Sequence, residues 1–260
     1  MNGKLYTGDC RDIIPKVGEV NLVITSPPYN VGIPYDSHDD LMHPEEYYDF
    51  IRDVFSKIYY ILPDDGRVAL NIPYEVNYKK VGGTKTFLAS KMWNILEKIG
   101  YNYFTTIDLN EKSAQKSKLT AWGSWLSPSA PYIYNSKECI IVCYKNVWKR
   151  INKGTTYFNQ DNKKEFINYA INSWNYRAET QKLTEANYSL DIPLPCLKMF
   201  SWQEDVILDP FMGGGTTALA CEMLNRRWVG IEKSEKYSKT ILTRIKEYVK
   251  IQRSKNEFFK

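Results

Sequence analysis

The chain has 260 residues, 43% apolar and 25% charged, with 35 Lys and Arg against 30 Asp and Glu for a net charge of +5. That length and apolar content suit one large α/β domain, or one domain with an inserted lobe. Apolar runs reach only strand length, which excludes a membrane span, and the first residues carry no apolar signal segment. Five cysteines with no Cys-x-x-Cys pair exclude a disulfide framework and suit a reducing compartment, and two histidines are too few for a zinc site.

In chain order, residues 2–7 read as a first strand and Leu22 to Thr25 as a second. The second runs into Ser26-Pro27-Pro28-Tyr29-Asn30, a polar loop where open α/β sheets place their ligands. Its two prolines stiffen the backbone and remove two N–H donors, Ser26 adds an acceptor, and Tyr29 adds a flat apolar face. Such a loop could hold a planar amino group, and the same residues also suit a rigid strand-to-loop corner. His38-Asp39-Asp40 could touch a divalent ion but reads first as a solvated loop. Pro44-Glu45-Glu46 starts a helix with Tyr48, Ile51, Phe55, Ile58 and Leu62 on one face. A turn at 64–66 precedes a strand over 67–72, and a helix over 85–99 ends at Gly100. Strands near 101–107 and 139–144 follow, with a basic loop over 108–118 between them.

Residues 205–217 hold the second informative motif. Val206, Ile207 and Leu208 form a strand that Asp209 ends, Pro210, Phe211, Met212 and three glycines follow, and a helix starts near Thr216 and Thr217. Strand, glycine loop and helix let a ligand approach the backbone closely. The loop lacks the Gly-Lys-Ser/Thr ending of a phosphate loop and any basic residue, so a triphosphate fits poorly. The next strand, Trp228 to Ile231, ends in Glu232, where nucleoside ligands have their ribose hydroxyls bound. Taken singly, Glu232 reads as a solvated charge. A C-terminal helix repeats Tyr237, Ile241, Ile245 and Tyr248. Alternating strands and helices imply a mostly parallel sheet with helices on both faces.

With both motifs present, the chain resembles the amino-methylating DNA methyltransferases that use S-adenosylmethionine. Ser26-Pro27-Pro28-Tyr29 is similar to the family's catalytic motif, and Asp209 to Thr217 to its cofactor motif, including Gly213 and Gly215. The catalytic motif comes first, as in the circularly permuted β subgroup, whose opening Gly-Asp-Cys segment is matched by Gly8-Asp9-Cys10. Thr120 to Trp125, Ser127-Pro128-Ser129, Glu138 and Lys145 extend the likeness.

The resemblance implies a Rossmann-like, circularly permuted α/β fold with a mostly parallel seven-stranded sheet. In it, residues 1–144 form the catalytic part, 145–183 a target-recognition lobe and 184–260 the cofactor-binding part. It also implies that Asp9 and Cys10 contact the cofactor adenine, Glu232 its ribose, and the Asp209–Thr217 loop its methionine portion. Ser26 and the Pro27 carbonyl would accept from the target amine while Tyr29 stacks on a base flipped from the duplex. The family usually has His-Pro-Ala-x-Phe-Pro where this chain has Thr184 to Ser189, a departure that bears on the methionine-tail contacts.

Ser-Pro-Pro-Tyr resembles the cytosine-N4 enzymes more than the adenine-N6 ones, which usually carry Asp-Pro-Pro-Tyr. Methylation of RNA or of a protein glutamine, and a catalytically inactive DNA-binding module, are the rival readings. Residues 145–182 hold eight Lys and Arg against three acids, interleaved with aromatics. This composition suits either a solvated helix with inward aromatics or a nucleic-acid face. With the resemblance, Lys149, Arg150, Lys153, Lys163 and Lys164 are the expected DNA contacts. Pro195-Cys196 looks like the nucleophile of the cytosine-C5 methylases, but its position reads as a buried helix residue. The expected partner is double-stranded DNA, with a separate cognate restriction endonuclease, no membrane, a monomer or homodimer, and a prokaryotic cytoplasmic location.

Overall fold

The structure is a computed structural model and describes residues 1–34, 40–111, 123–131, 133, 137–177, 179 and 189–258. Its elements are β1 (Gly3–Thr7), α1 (Cys10–Ile13), β2 (Leu22–Thr25), α2 (Pro44–Ile61), β3 (Arg67–Pro73) and the two short strands β4 (Val76–Asn77) and β5 (Lys85–Thr86). Then come α3 (Leu88–Ile99), β6 (Asn102–Glu111), β7 (Glu138–Tyr144), α4 (Lys163–Tyr169), β8 (Ser173–Tyr176), α5 (Pro193–Phe200), β9 (Val206–Asp209), α6 (Thr216–Met223), β10 (Arg227–Glu232) and α7 (Glu235–Phe258).

Among the described residues, eight strands form one sheet in the order β1-β10-β9-β2-β3-β7-β6-β8. Every neighbouring pair is parallel except β3–β7 and β7–β6, so β7 alone runs against the rest. β2 is buried along its whole length and β3 along all but Pro73, as strands covered on both faces must be. The helices cover two separate apolar layers. One holds Tyr47, Ile51, Phe55, Ile58 and Leu96 from α2 and α3. The other holds Cys196, Leu197, Ala218, Cys221, Ile241 and Ile245 from α5, α6 and α7.

Local chemistry sets the ends of these elements. In α2, Pro44 occupies the first turn with Glu45 and Glu46, and His43 Nδ1 accepts from the Glu45 N–H. α3 stops at Gly100, whose φ of 117° suits a residue without a Cβ. It begins at Leu88 rather than residue 85, because Lys85 and Thr86 pair with Val76 and Asn77 in a small antiparallel ribbon.

Two further expectations need correction. The sheet has eight strands, not seven, since Ser173–Tyr176 pairs in parallel with Asp108–Glu111 and buries Trp174 and Tyr176 against the sheet. That strand comes from the segment read as a separate recognition lobe. The loop read over 108–118 begins later, because residues 108–111 are strand; Lys112, Lys116 and Lys118 lie outside the described residues. Among the described residues no helix is long and apolar enough to cross a membrane.

Candidate active site

Both motifs stand at the carboxyl ends of neighbouring strands, β2 and β9, and one carboxylate ties them together. Asp209 is fully buried. Its Oδ1 accepts from Thr25 Oγ1 at 2.7 Å and from the Phe211 N–H at 3.1 Å, and its Oδ2 from Thr217 Oγ1 at 2.6 Å. Burial pushes its pKa up to about 6, against the pull of those donors. Thr25 ends the strand that carries the Ser-Pro-Pro-Tyr loop, and Thr217 opens α6. Asp209 therefore joins the catalytic loop, the glycine loop and a helix from beneath the site. Gly215 caps α6 at a φ of 77°, and a Cβ there would stand 2.9 Å from Ile241 Cγ2, so the position excludes other residues twice over.

The Ser-Pro-Pro-Tyr loop is held by contacts that its sequence does not announce. Asn30 adopts a left-handed φ of 59°. Its side chain bridges to Met42, donating to the carbonyl at 2.7 Å and accepting from the N–H at 2.8 Å. Asp40 is buried, and its carboxylate accepts from the N–H groups of Asn30 and Val31 at 2.9 Å and of Ile33 at 3.3 Å. The solvated loop expected at 38–40 is thus corrected at Asp40; His38 and Asp39 lie outside the described residues. Tyr47, buried in α2, donates its hydroxyl to the Pro28 carbonyl at 2.8 Å. Ser26 Oγ and the Tyr29 hydroxyl share a hydrogen bond of 2.7 Å.

On the other wall, Glu232 accepts from the Gly213 N–H through Oε2 and from the Ser234 N–H through Oε1, both at 2.8 Å. Burial raises its pKa, and the backbone N–H groups of Ser234, Gly213 and Lys233 oppose that rise. A carboxylate has about four acceptor positions, so Glu232 can still receive a ligand hydroxyl. Asp9 is gripped by Arg11 through both carboxylate oxygens, at 3.0 and 2.7 Å, which holds its pKa below the usual range. Arg11 in turn lies 5.2 Å from the Phe50 ring centroid, and Phe50 packs on Phe211 at 5.9 Å. Burial pushes the Cys10 thiol up to about 12.

These groups surround a cleft of about 960 Å³, its open mouth included. Of the residues singled out in the sequence, Asp9, Cys10, Ser26, Pro28, Pro210, Phe211, Gly213 and Glu232 line it. Asp209, Gly215, Thr216 and Thr217 lie behind the wall and shape it, and Pro27 and Tyr29 sit beside it. Sequence reading included Asn30 in the motif loop but missed Asp40, Tyr47 and Phe50 among the lining residues. They belong to a loop and a helix face that read as ordinary turn and core.

The sequence profile of the N6/N4 DNA methylase family matches residues 20–243. The chain belongs to this family of DNA methylases. The Type II methyltransferase M.MjaVI of Methanocaldococcus jannaschii is 41% identical over 163 residues, 63% of this chain and 79% of that relative. Among solved structures, a putative DNA modification methylase of Thermus thermophilus, complexed with S-adenosyl-L-methionine, aligns with a TM-score of 0.71 at 24% identity, covering 94% of this chain and 93% of the other. The cytosine-N4-specific PvuII DNA methyltransferase aligns with a TM-score of 0.70 at 17% identity, covering 91% and 84%. Both likenesses speak for the fold.

In this methylase none of the basic residues expected to meet DNA lines the cleft. β7 runs backwards, so Tyr144 pairs with Arg67 at the start of β3 and the chain leaves the sheet at its amino edge. Lys149 and Lys153 follow there, while Ser26 stands at the carboxyl edge. β2 pairs with Arg67–Leu70, so four residues of strand, roughly 13 Å, separate the two edges. Arg150 is also not a surface residue: it pairs with Asp65 at 3.0 Å and Asp205 at 2.6 Å, its side chain 9% exposed. A guanidinium committed to two buried carboxylates cannot also serve phosphates, so its expected DNA role is corrected to a structural one. Lys163 and Lys164 are exposed in the first turn of α4, which packs beside α5 rather than over the cleft. Cys196 is fully buried in α5, and burial pushes its thiol well above the usual range, as a core residue requires.

Proposed function

We propose that this methylase transfers a methyl group from S-adenosylmethionine to N4 of a cytosine flipped out of double-stranded DNA, as the modification partner of a Type II restriction system. The observation that carries the reading is the shared cleft: Ser26 opens onto the same space as Glu232 and the glycine loop. The residues fit the cofactor. Glu232 offers a carboxylate acceptor at a ribose position, Phe50, Phe211 and Tyr237 give apolar walls, and Gly8 and Gly213 keep the backbone approachable. The bound cofactor supplies an electrophilic methyl on a sulfonium. The permuted order of the motifs supports the β subgroup, with β1 lying beside β10 in parallel register.

An exocyclic amine is a weak nucleophile because its lone pair is conjugated with the ring. Accepting its two N–H groups at Ser26 Oγ and the Pro27 carbonyl pulls the nitrogen toward tetrahedral geometry and frees that pair for attack. Tyr47 holds the neighbouring Pro28 carbonyl and so fixes the backbone that carries the Pro27 carbonyl. Turning Tyr29 away from its hydrogen bond with Ser26 would let its ring cover the base. The proton shed after transfer leaves through the Ser26 hydroxyl to water.

Nucleoside mass spectrometry of DNA methylated by the purified protein tests this. N4-methylcytosine is expected, and Ser26→Ala should slow its formation roughly hundredfold. N6-methyladenine instead would move the chemistry to the other base, and absence of any methylated base would refute the reading.

A further inference from the structure

We propose that Lys79 and Lys80 form the phosphate-gripping surface of this methylase, at the carboxyl edge of the sheet and mechanically joined to the catalytic loop. The inference rests on DNA being the substrate and assigns the face that receives it.

β3 ends at Pro73 beside the catalytic loop, and the chain then makes the β4–β5 ribbon, whose tip carries Lys79 and Lys80. Both lysines are exposed, and among the described residues neither pairs with an acid, whereas nearby Lys85 is taken by Glu75. Lys80 reaches back over the catalytic loop: its Cδ stands 3.4 Å from where a Cβ on Gly32 would be. A base seated at Ser26 would bring its flanking phosphates to this edge of the sheet, the side on which the two ammonium groups stand. Lys149 and Lys153 follow β7 at the opposite edge of the sheet, away from the base.

The tip is also anchored to the chemistry. Tyr78, immediately before the two lysines, is buried between Tyr47 and Tyr48 with ring centroids 6.4 and 6.3 Å away. Tyr47 is the residue that holds the Pro28 carbonyl. Gly83 lets the tip close, since a Cβ there would stand 2.9 Å from Pro44 Cγ at the start of α2. A phosphate bound at Lys79 and Lys80 is therefore two packed tyrosines away from the Ser-Pro-Pro-Tyr backbone.

The test is duplex DNA binding by fluorescence anisotropy as a function of salt, which needs no knowledge of the recognition sequence. Each phosphate contact contributes about 0.9 to the slope of log affinity against log salt. Lys79→Gln/Lys80→Gln should lower that slope by about 2 and weaken binding roughly tenfold or more at low salt. S-adenosylmethionine affinity by calorimetry and thermal midpoint should stay at wild-type values, which shows that the variant folds. Lys149→Gln/Lys153→Gln should leave the slope unchanged. An unchanged slope in the first variant, or a loss confined to the second, overturns the proposal while leaving the methylase reading intact. A wild-type protein that neither binds nor methylates duplex DNA overturns both.

Discussion

A carboxylate removed from water is stable only so far as protein donors replace its hydration, and at Asp209 three donors do so incompletely. The pH dependence follows. In the unfolded chain Asp209 loses its proton near 3.8, and in the folded protein near 6, so between those values the folded state binds more protons. The contribution of Asp209 to stability should therefore be fully present below about pH 4, fall as pH rises to about 6, and level off above it. The loss is of order a few kcal/mol. Urea midpoints across this range should show the decline, and Asp209→Asn, which cannot ionise, should flatten it. Glu232 shifts in the same direction and should leave a smaller residual slope. Asp209 was read from its motif as a cofactor contact, and its residue type is consistent with that; only the packed structure shows it facing Thr25 and Thr217 instead of the cleft.

At the scale of elements, the catalytic loop is rigid because other segments brace it. Two prolines restrict it internally, but Asp40 and Asn30 close it into a ring with Met42, and α2 reaches over it through Tyr47. Replacing Asp40 by Asn presents an amide NH₂ toward N–H donors and loses part of the clasp. Because small displacements of a reacting geometry are costly, Asp40→Asn should reduce the rate of methyl transfer roughly tenfold to hundredfold. Steady-state methylation kinetics with saturating DNA would check this, and a variant with wild-type kcat would show that the prolines suffice. This brace was not legible beforehand. An Asp in a polar stretch gives no periodic signal, and its three backbone partners lie seven to ten residues away.

For the whole molecule, the reversed strand β7 decides which surfaces share an edge. It carries the chain to the amino edge, where Arg150, Asp65 and Asp205 knit the returning segment to the turns before β3 and β9. Arg150→Met would leave two carboxylates buried and unpaired. Global stability should drop by about 3–5 kcal/mol, read from chemical denaturation, with little change in the salt slope of DNA binding. The basic, aromatic-rich composition of 145–182 suggested a nucleic-acid face, yet two of its tryptophans serve packing: Trp148 stacks on Phe104 at 3.5 Å and Trp174, on β8, is buried in the core. Composition measures how much charge a segment carries but not which end of a sheet it occupies.

By itself the sequence determined the alternation of strands and helices, both motif loops at strand ends, the acid after the glycine loop and the buried character of Cys196. All of these depend on residues near in sequence, through periodicity, turn chemistry and spacing. Tertiary structure alone decided which motif residues face the cleft, that Asp40 and Tyr47 hold the catalytic loop, that an eighth strand joins the sheet, and that Arg150 is structural while Lys79 and Lys80 stand beside the site. Those facts depend on the direction of one strand and on partners far apart along the chain, and local pattern carries no record of either.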